Sequence, residues 1–176
     1  MGVDTLTTSS AFNPSSQDAL VFKFTNFVCE SYNKSWLVFH KCRLKAVSRN
    51  KVLLNLNGTV LHPVNDISAH FRVFKRANGY KPWLFDVKFD ACLYLKRRNH
   101  PAVNIVYSLF TPFSNINHSC PYVGAMLVKD LYLIPDLMRL PVPTGDYLLS
   151  MQWYYDKKLT FDTNVSVAFV EDLLTS

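Results

Sequence analysis

The chain has 176 residues, of which 49% are apolar, 18% charged and 14% aromatic, with a formal net charge of +6. This length fits one domain with a substantial core and is too short for two domains of typical size. The composition excludes a disordered or fibrous chain. The basic residues are scattered rather than gathered into an arm or an RNA-binding aromatic motif, so we expect no nucleic-acid partner.

The segment 1–19 is rich in Ser, Thr, Asn and Asp without periodicity, so we expect it to be disordered, followed by a single domain over 20–172. This segment lacks the apolar core of a signal peptide, and no stretch has the length and apolarity of a membrane helix. Taken alone, this end of the chain favours a cytosolic protein. Features of the remaining sequence favour secretion, so we expect a signal peptide to be missing from this chain.

From residue 20 onward, apolar and polar residues alternate with a period of two, which is typical of strands with one buried face. The dipeptide Asn78-Gly79 separates two such runs and is a strong hairpin signal. About eight strands are predicted, which favours an all-β, two-sheet antiparallel sandwich or cup. Their expected positions are 20–30, 36–48, 51–62, 67–76, 82–90, 122–134, 146–156 and 159–170.

One segment, near 91–111, departs from the period of two and is predicted to be a short helical insertion. Pro101 suits the first position of a helix, and the apolar residues that follow it have helical spacing. Residues 91–97 are a second candidate for a short helix. We expect this insertion to form a flap held against the sheet.

Four cysteines are present, with no CxxC pair that would indicate a zinc ribbon or a thioredoxin-type site. They are Cys29, Cys42, Cys92 and Cys120. Three disulfide connectivities are possible. Cys29 and Cys42 flank a turn-like segment, 31–35, which would bring them within disulfide reach and leave Cys92 with Cys120. The alternative is four free buried thiols in a cytosolic protein.

Four N-x-S/T sequences predict glycosylation at Asn33, Asn57, Asn117 and Asn164. Asn57 and Asn164 fall on the polar faces of predicted strands, and Asn33 falls in a turn. Exposure of these three side chains would suit glycan attachment.

The residue patterns of the common catalytic sites are missing. The five histidines show no metal-type spacing, and HExxH, G-x-S-x-G and phosphate-binding glycine loops do not occur. His118 lies two residues before Cys120, and we interpret it as a loop histidine beside a structural disulfide rather than as half of a Cys–His pair. We therefore expect no catalytic residue, no metal and no cofactor.

Several longer motifs occur together in a characteristic order: 24–26 (FTN) with Cys29, 41–44 (KCRL), 74–82 (FKRANGYKP), 89–92 (FDAC), 114–122 (SNINHSCPY) and 140–147 (LPVPTGDY). With these motifs, residues 22–171 resemble a secreted insect domain family of unknown function that includes the CheB-like chemosensory proteins.

A more distant resemblance is to the lipid-recognition (ML) fold that includes the ganglioside activator, carried by 120–122 (CPY), 134–137 (IPDL) and 144–147 (TGDY). It implies an all-β cup with an apolar cavity and favours the Cys92–Cys120 pairing. The chain differs from the activator in having fewer disulfides and no cysteine near its C-terminus.

The cup implied by this resemblance gives the bulky inward-facing and flap residues a role in ligand binding. The predicted ligand-binding residues are Trp83, Phe85, Phe89, Ile105, Leu109, Phe110, Met151 and Trp153. We therefore expect an extracellular carrier or presenter of an apolar, lipid-like ligand, with a chemosensory role as one option. The alternative is a ligand-free secreted interaction protein acting at a cell-surface receptor.

Overall fold

The computed structural model describes residues 17–135, 139–140 and 142–171. Its strands are β1 (Gln17–Ser31), β2 (Leu37–Ser48), β3 (Lys51–Val64), β4 (Ile67–Arg76), β5 (Tyr80–Asp90), β6 (Tyr122–Leu131), β7 (Arg139–Leu140), β8 (Gly145–Tyr155) and β9 (Lys158–Glu171). Two helices, α1 (Ala91–Arg97) and α2 (Pro101–Phe110), and a single 3-10 turn (Thr111–Phe113) lie between β5 and β6.

The strands form two antiparallel sheets. The larger sheet has the order β5-β4-β8-β9-β1-β7, and the smaller has the order β2-β3-β6. The predicted all-β sandwich with a helical insertion is therefore confirmed, and the one strand that the sequence did not predict, β7, is two residues long. Residues 17–19, expected to be disordered, begin β1, where Gln17 and Asp18 pair with β7. The rest of the segment 1–19 lies outside the described residues.

Tight turns connect the neighbouring strands. In the three-residue turn between β4 and β5, Asn78 (φ 56°) and Gly79 (φ 88°) both occupy the left-handed region, which Asn and Gly tolerate best. Asp156 (φ 48°) and Lys157 (φ 66°) do the same between β8 and β9. The amino acids at these turns explain why the chain reverses there.

The main core contains side chains from both sheets. Phe169 of β9, Leu37 of β2, and Val60 and Val64 of β3 are its most deeply buried members. Phe22 of β1 meets Phe169 edge-on, with ring centroids 5.9 Å apart. Burial of such side chains supplies the dominant stabilising free energy of the sandwich.

Both predicted disulfides form, and the first crosslinks the two sheets. Cys29 lies in β1 of the larger sheet and Cys42 in β2 of the smaller sheet, with Cα atoms 6.2 Å apart. The second bond joins Cys92 of α1 to Cys120, just before β6, and so encloses α2 and the 3-10 turn. No cysteine of the described chain is free.

The two helices begin and end at residues that satisfy their terminal backbone groups. Asp90 caps α1 by accepting a hydrogen bond from the Leu93 N–H (2.9 Å), and Arg98 ends the helix in the left-handed conformation (φ 45°). His100 caps α2, and Pro101 follows at its first position. The sequence between β5 and β6 thus contains the local start and stop signals of two short helices.

Candidate functional site

One face of the larger sheet, the inner face, is apolar from its β5 edge through β4, β8 and β9. Strand pairing sets Phe89 opposite Ala69, Ala69 opposite Trp153, and Trp153 opposite Phe161. Directly opposed residues of an antiparallel pair point to the same face. The smaller sheet and the main core cover one part of this face, and the helices cover the part formed by β4, β5 and β8.

Aromatic rings fill the space beneath the helices. Phe71 of β4 meets Phe89 (centroids 4.9 Å apart) and Trp153 (5.6 Å) edge-on. Phe89 in turn contacts Tyr94 of α1, and Tyr94 contacts Tyr107 of α2, again edge-on. These edge-to-face contacts connect the sheet to both helices through one continuous aromatic cluster.

Hydrogen bonds satisfy the phenol groups that reach this cluster. The Tyr94 hydroxyl donates to Asn104 Oδ1 of α2 (2.5 Å), and the Tyr107 hydroxyl donates to the Ile116 carbonyl (2.9 Å). Burial raises the pKa of Tyr94 above its ordinary value. The helices are therefore held by ring packing and by a few polar contacts, in addition to the Cys92–Cys120 bond.

A cleft remains between α2 and the inner face, and we call it the apolar cleft. Its volume is about 10 Å³, which is room for about one water molecule. Every lining side chain is apolar. These residues are Phe71, Val73, Phe85, Val87, Ala102, Val103, Val106 and Leu149.

The predicted ligand-binding residues occupy three different settings. Phe85 lines the apolar cleft. Four others, Phe89, Phe110, Met151 and Trp153, pack against both buried clusters, and Leu109 packs against the main core. Trp83 and Ile105 are exposed. Their role in ligand binding remains a prediction.

The remaining cleft residues were missed for a recognisable reason. The predicted site residues are mostly large apolar side chains, whereas Val73, Val87, Val106 and Leu149 are of medium size; Phe71, although bulky, was not among the predicted residues. Their period-two and helical spacing was a usable signal of an inward position. No local pattern in the sequence predicts that α2 lies over β4 and β5.

A second depression, of about 400 Å³, lies beside the first disulfide at the end of β1 and the start of β2. It is open to solvent and mixed in character, since Glu30, Ser31 and Lys34 line it together with Val38, Phe39 and Cys29. This surface groove offers little enclosure for an apolar ligand.

The outer face of the larger sheet carries a hydrogen-bonded pair, His70 and Asp86. His70 Nε2 lies 2.5 Å from Asp86 Oδ1, and this hydrogen bond holds the pKa of the Asp86 carboxyl below its ordinary value. Throughout residues 17–135, 139–140 and 142–171, no group of three or more His, Cys, Asp or Glu side chains could hold a metal ion. Nor is any helix in that part of the chain long and apolar enough to cross a membrane.

The four predicted glycosylation sites lie apart from the apolar cleft. Asn33, Asn57 and Asn117 are exposed, whereas Asn164 of β9 is half-buried between its neighbours Ser150 of β8 and Val28 of β1. The Asn33 side chain accepts a hydrogen bond from the Ser35 hydroxyl (2.5 Å), within its own N-x-S sequence.

Comparison with known proteins gives one family. Among solved structures, the chain is similar to the crystal structure of a Niemann-Pick type C2 protein from Japanese carpenter ant, with 14% identity over 88% of this chain and 98% of that chain and a TM-score of 0.34. No curated protein matches the sequence. Residues 69–149 match the family described as "Protein of unknown function (DUF1091)". The predicted resemblance to a family of unknown function is therefore confirmed over residues 69–149, the segment that supplies every residue lining the apolar cleft.

Proposed function

We propose that the protein binds an apolar, lipid-like ligand outside the cell, between α2 and the inner face of the larger sheet. The observation that carries this proposal is the cover over β4, β5 and β8. Among the described residues, two short helices rather than the smaller sheet cover these strands, and α2 closes a cleft lined by apolar side chains alone. Proteins hold small hydrophobic molecules in concave apolar sites of several hundred Å³, so this cleft would have to widen before it could hold one.

The closed cleft holds about one water molecule, so a ligand must displace the helices. They are suited to move, because helices of 7 and 10 residues have little stability of their own. The Cys92–Cys120 bond would keep α1 attached to the segment that precedes β6 while α2 tilts away from the sheet. An acyl chain of about ten methylenes gains about 8 kcal/mol on burial, which is enough to offset the loss of several side-chain contacts.

Two features support an extracellular location. Both disulfides are of the kind that persists in oxidising compartments. Three of the N-x-S/T asparagines are exposed, as attachment of a glycan requires.

The test compares two substitutions on α2. Ala102 lines the cleft and Ile105, on the same helix, is 43% exposed. Ala102→Phe should fill the cleft and abolish binding of an apolar fluorescent probe, N-phenyl-1-naphthylamine, whereas Ile105→Phe should bind as the unsubstituted protein does. Thermal unfolding of both variants checks that they fold.

Native mass spectrometry of protein secreted from insect cells adds a direct observation. We expect an adduct that organic solvent removes and that Ala102→Phe lacks. Absence of an adduct, together with probe binding that Ala102→Phe leaves unchanged, would contradict ligand binding in this cleft.

A second candidate function is a ligand-free secreted protein that acts at a cell-surface receptor. The small volume of the closed cleft favours it, because a packed core needs no cargo. It predicts saturable binding of delipidated protein to membranes of expressing tissue. Failure of that binding, with an adduct present, would leave the carrier as the better account.

A further inference from the structure

The turn between β4 and β5 carries an unusual set of exposed residues, and we call residues 75–84 the hairpin tip. Tyr80 (42% exposed), Trp83 (36%) and Leu84 (59%) present apolar surface to solvent there. The same ten residues contain three cations, Lys75, Arg76 and Lys81, and no Asp or Glu. Aromatic, aliphatic and basic groups thus lie together on this turn and on the strand ends that flank it.

The backbone of the hairpin tip is strained at Leu84. Its φ of 61° lies in the left-handed region, which a leucine side chain disfavours. Arg72 pairs with Asp86 and Phe74 pairs with Pro82, so three residues of β5 (83–85) lie opposite the single residue Val73 of β4. The protein therefore keeps an unfavourable bulge that leaves a large apolar side chain in water, where it gains no burial in the fold.

The cations of the hairpin tip are available to an external partner. Lys75 Nζ lies 5.2 Å from the centroid of the Trp83 ring, so a charge and an apolar ring sit side by side. Within residues 17–135, 139–140 and 142–171, no carboxylate forms a salt bridge with Lys75, Arg76 or Lys81.

The hairpin tip adjoins the apolar cleft. Val73, two residues before the tip, and Phe85, immediately after it, both line the cleft. Leu149 of β8, another lining residue, pairs with Val73, and Tyr147 pairs with Lys75. Whatever binds the tip therefore lies close to α2 and to the mouth of the cleft.

We propose that the hairpin tip docks the protein on the surface of an anionic lipid bilayer. Tyr and Trp prefer the headgroup region of a bilayer, Leu84 would enter the acyl boundary, and Lys and Arg attract anionic headgroups. A second copy of this chain is a poor partner for the tip, because contact between two tips would place the three cations of one copy near the three cations of the other, and these would repel. The proposed docking depends only on the residues of the hairpin tip. A role for docking in loading a ligand into the apolar cleft would rest on the proposed function.

The experiment measures sedimentation of the full chain, without added ligand, with phosphatidylcholine vesicles and with equimolar phosphatidylcholine–phosphatidylserine vesicles. Arg76→Gln/Lys81→Gln should weaken partition onto the anionic vesicles about 30-fold, since each cation near such a surface contributes about fivefold. The matched control, Lys157→Gln/Lys158→Gln, removes the same charge from the β8–β9 turn at the opposite end of the sheet.

The apolar contribution has its own variant. Leu84→Asn should weaken partition about tenfold. It should preserve or raise the melting temperature, because Asn tolerates the left-handed conformation better than Leu. Leu159→Asn, at an exposed leucine beside the β8–β9 turn, is the control and should partition normally.

Partition that is equal on neutral and anionic vesicles, or that falls equally in tip and control variants, would overturn the proposal. The sedimentation experiment contains no added ligand. Its result therefore does not depend on whether the apolar cleft binds the fluorescent probe. A protein that fills its cleft with probe but ignores vesicles would refute the docking and leave the proposed function intact.

Discussion

Removing the disulfide between Cys92 and Cys120 should destabilise the whole protein by about 3.5 kcal/mol. The bond closes a loop with a sequence separation of 28, and the entropy that such a crosslink removes from the unfolded chain gives this value at room temperature. The Cys29–Cys42 bond closes a loop with a separation of 13, for which the same relation gives about 3 kcal/mol.

The assay is urea unfolding of Cys92→Ala/Cys120→Ala, followed by tryptophan fluorescence and extrapolated linearly to water. Trp153 reports on the cluster beneath the helices, because it meets Phe71 of that cluster edge-on with ring centroids 5.6 Å apart. If packing alone keeps α1 and α2 on the sheet, the dependence of the unfolding free energy on urea should be unchanged, because this slope follows the surface exposed on unfolding.

Two results would refute this reasoning. A loss below about 1 kcal/mol would mean that the crosslink does not restrict the unfolded chain. A shallower urea dependence would mean that the helices leave the sheet in the native state, so that the ring contacts of Tyr94 and Tyr107 do not suffice to hold them. Cys29→Ala/Cys42→Ala is the control, with the predicted loss and an unchanged slope.

Three further predictions concern the core, the pH dependence and the surface. Phe71→Ala should lower the free energy of unfolding by about 3–5 kcal/mol, because Phe71 is 7% exposed and belongs to the aromatic cluster. Urea unfolding measures this loss, and a loss below about 1 kcal/mol would contradict the packing described. Burial raises the pKa of Tyr122 to about 12 and also raises that of Tyr155. The unfolded tyrosine ionises near pH 10, so the Tyr122 contribution should be intact below pH 10 and lost between pH 10 and about 12. Alkaline denaturation of Tyr122→Phe should therefore show a smaller fall in stability, and an unchanged fall would count against this origin. Protein secreted from insect cells should lose mass on treatment with a peptide N-glycosidase, and Asn→Gln substitutions should each remove one increment; no mass change would contradict glycosylation at Asn33, Asn57, Asn117 and Asn164.

Much of the local structure was predictable because it is encoded over short distances. The alternation of apolar and polar residues predicts the eight long strands, and Asn78-Gly79 predicts the β4–β5 hairpin. Pro101 and the helical spacing after it predict α2. The turn between Cys29 and Cys42 predicts the first disulfide, and the other two cysteines then form the second.

The composition of the candidate site was only partly predictable. The period of two shows that Phe85 and Phe89 share a face, and both lie on the inner face of the sheet. It does not show that α2 lies over Val73 and Leu149, because the position of a helix on a sheet depends on side-chain volumes contributed by distant segments. Ile105, predicted for the site, is exposed and does not line the cleft.

The long strands, the faces they present, the helical insertion, the disulfide pairs and the family resemblance could all be predicted locally, since they depend on neighbouring residues and short motifs. The strand order β5-β4-β8-β9-β1-β7, which unites strands from both ends of the chain, could be seen only in the folded molecule. The tertiary structure alone placed the helices over part of the inner face, closed the cleft to about 10 Å³ and set Leu84 in a strained bulge. The physical reason is that strand pairing and close packing join residues far apart in the chain, and no local pattern specifies which partners will meet.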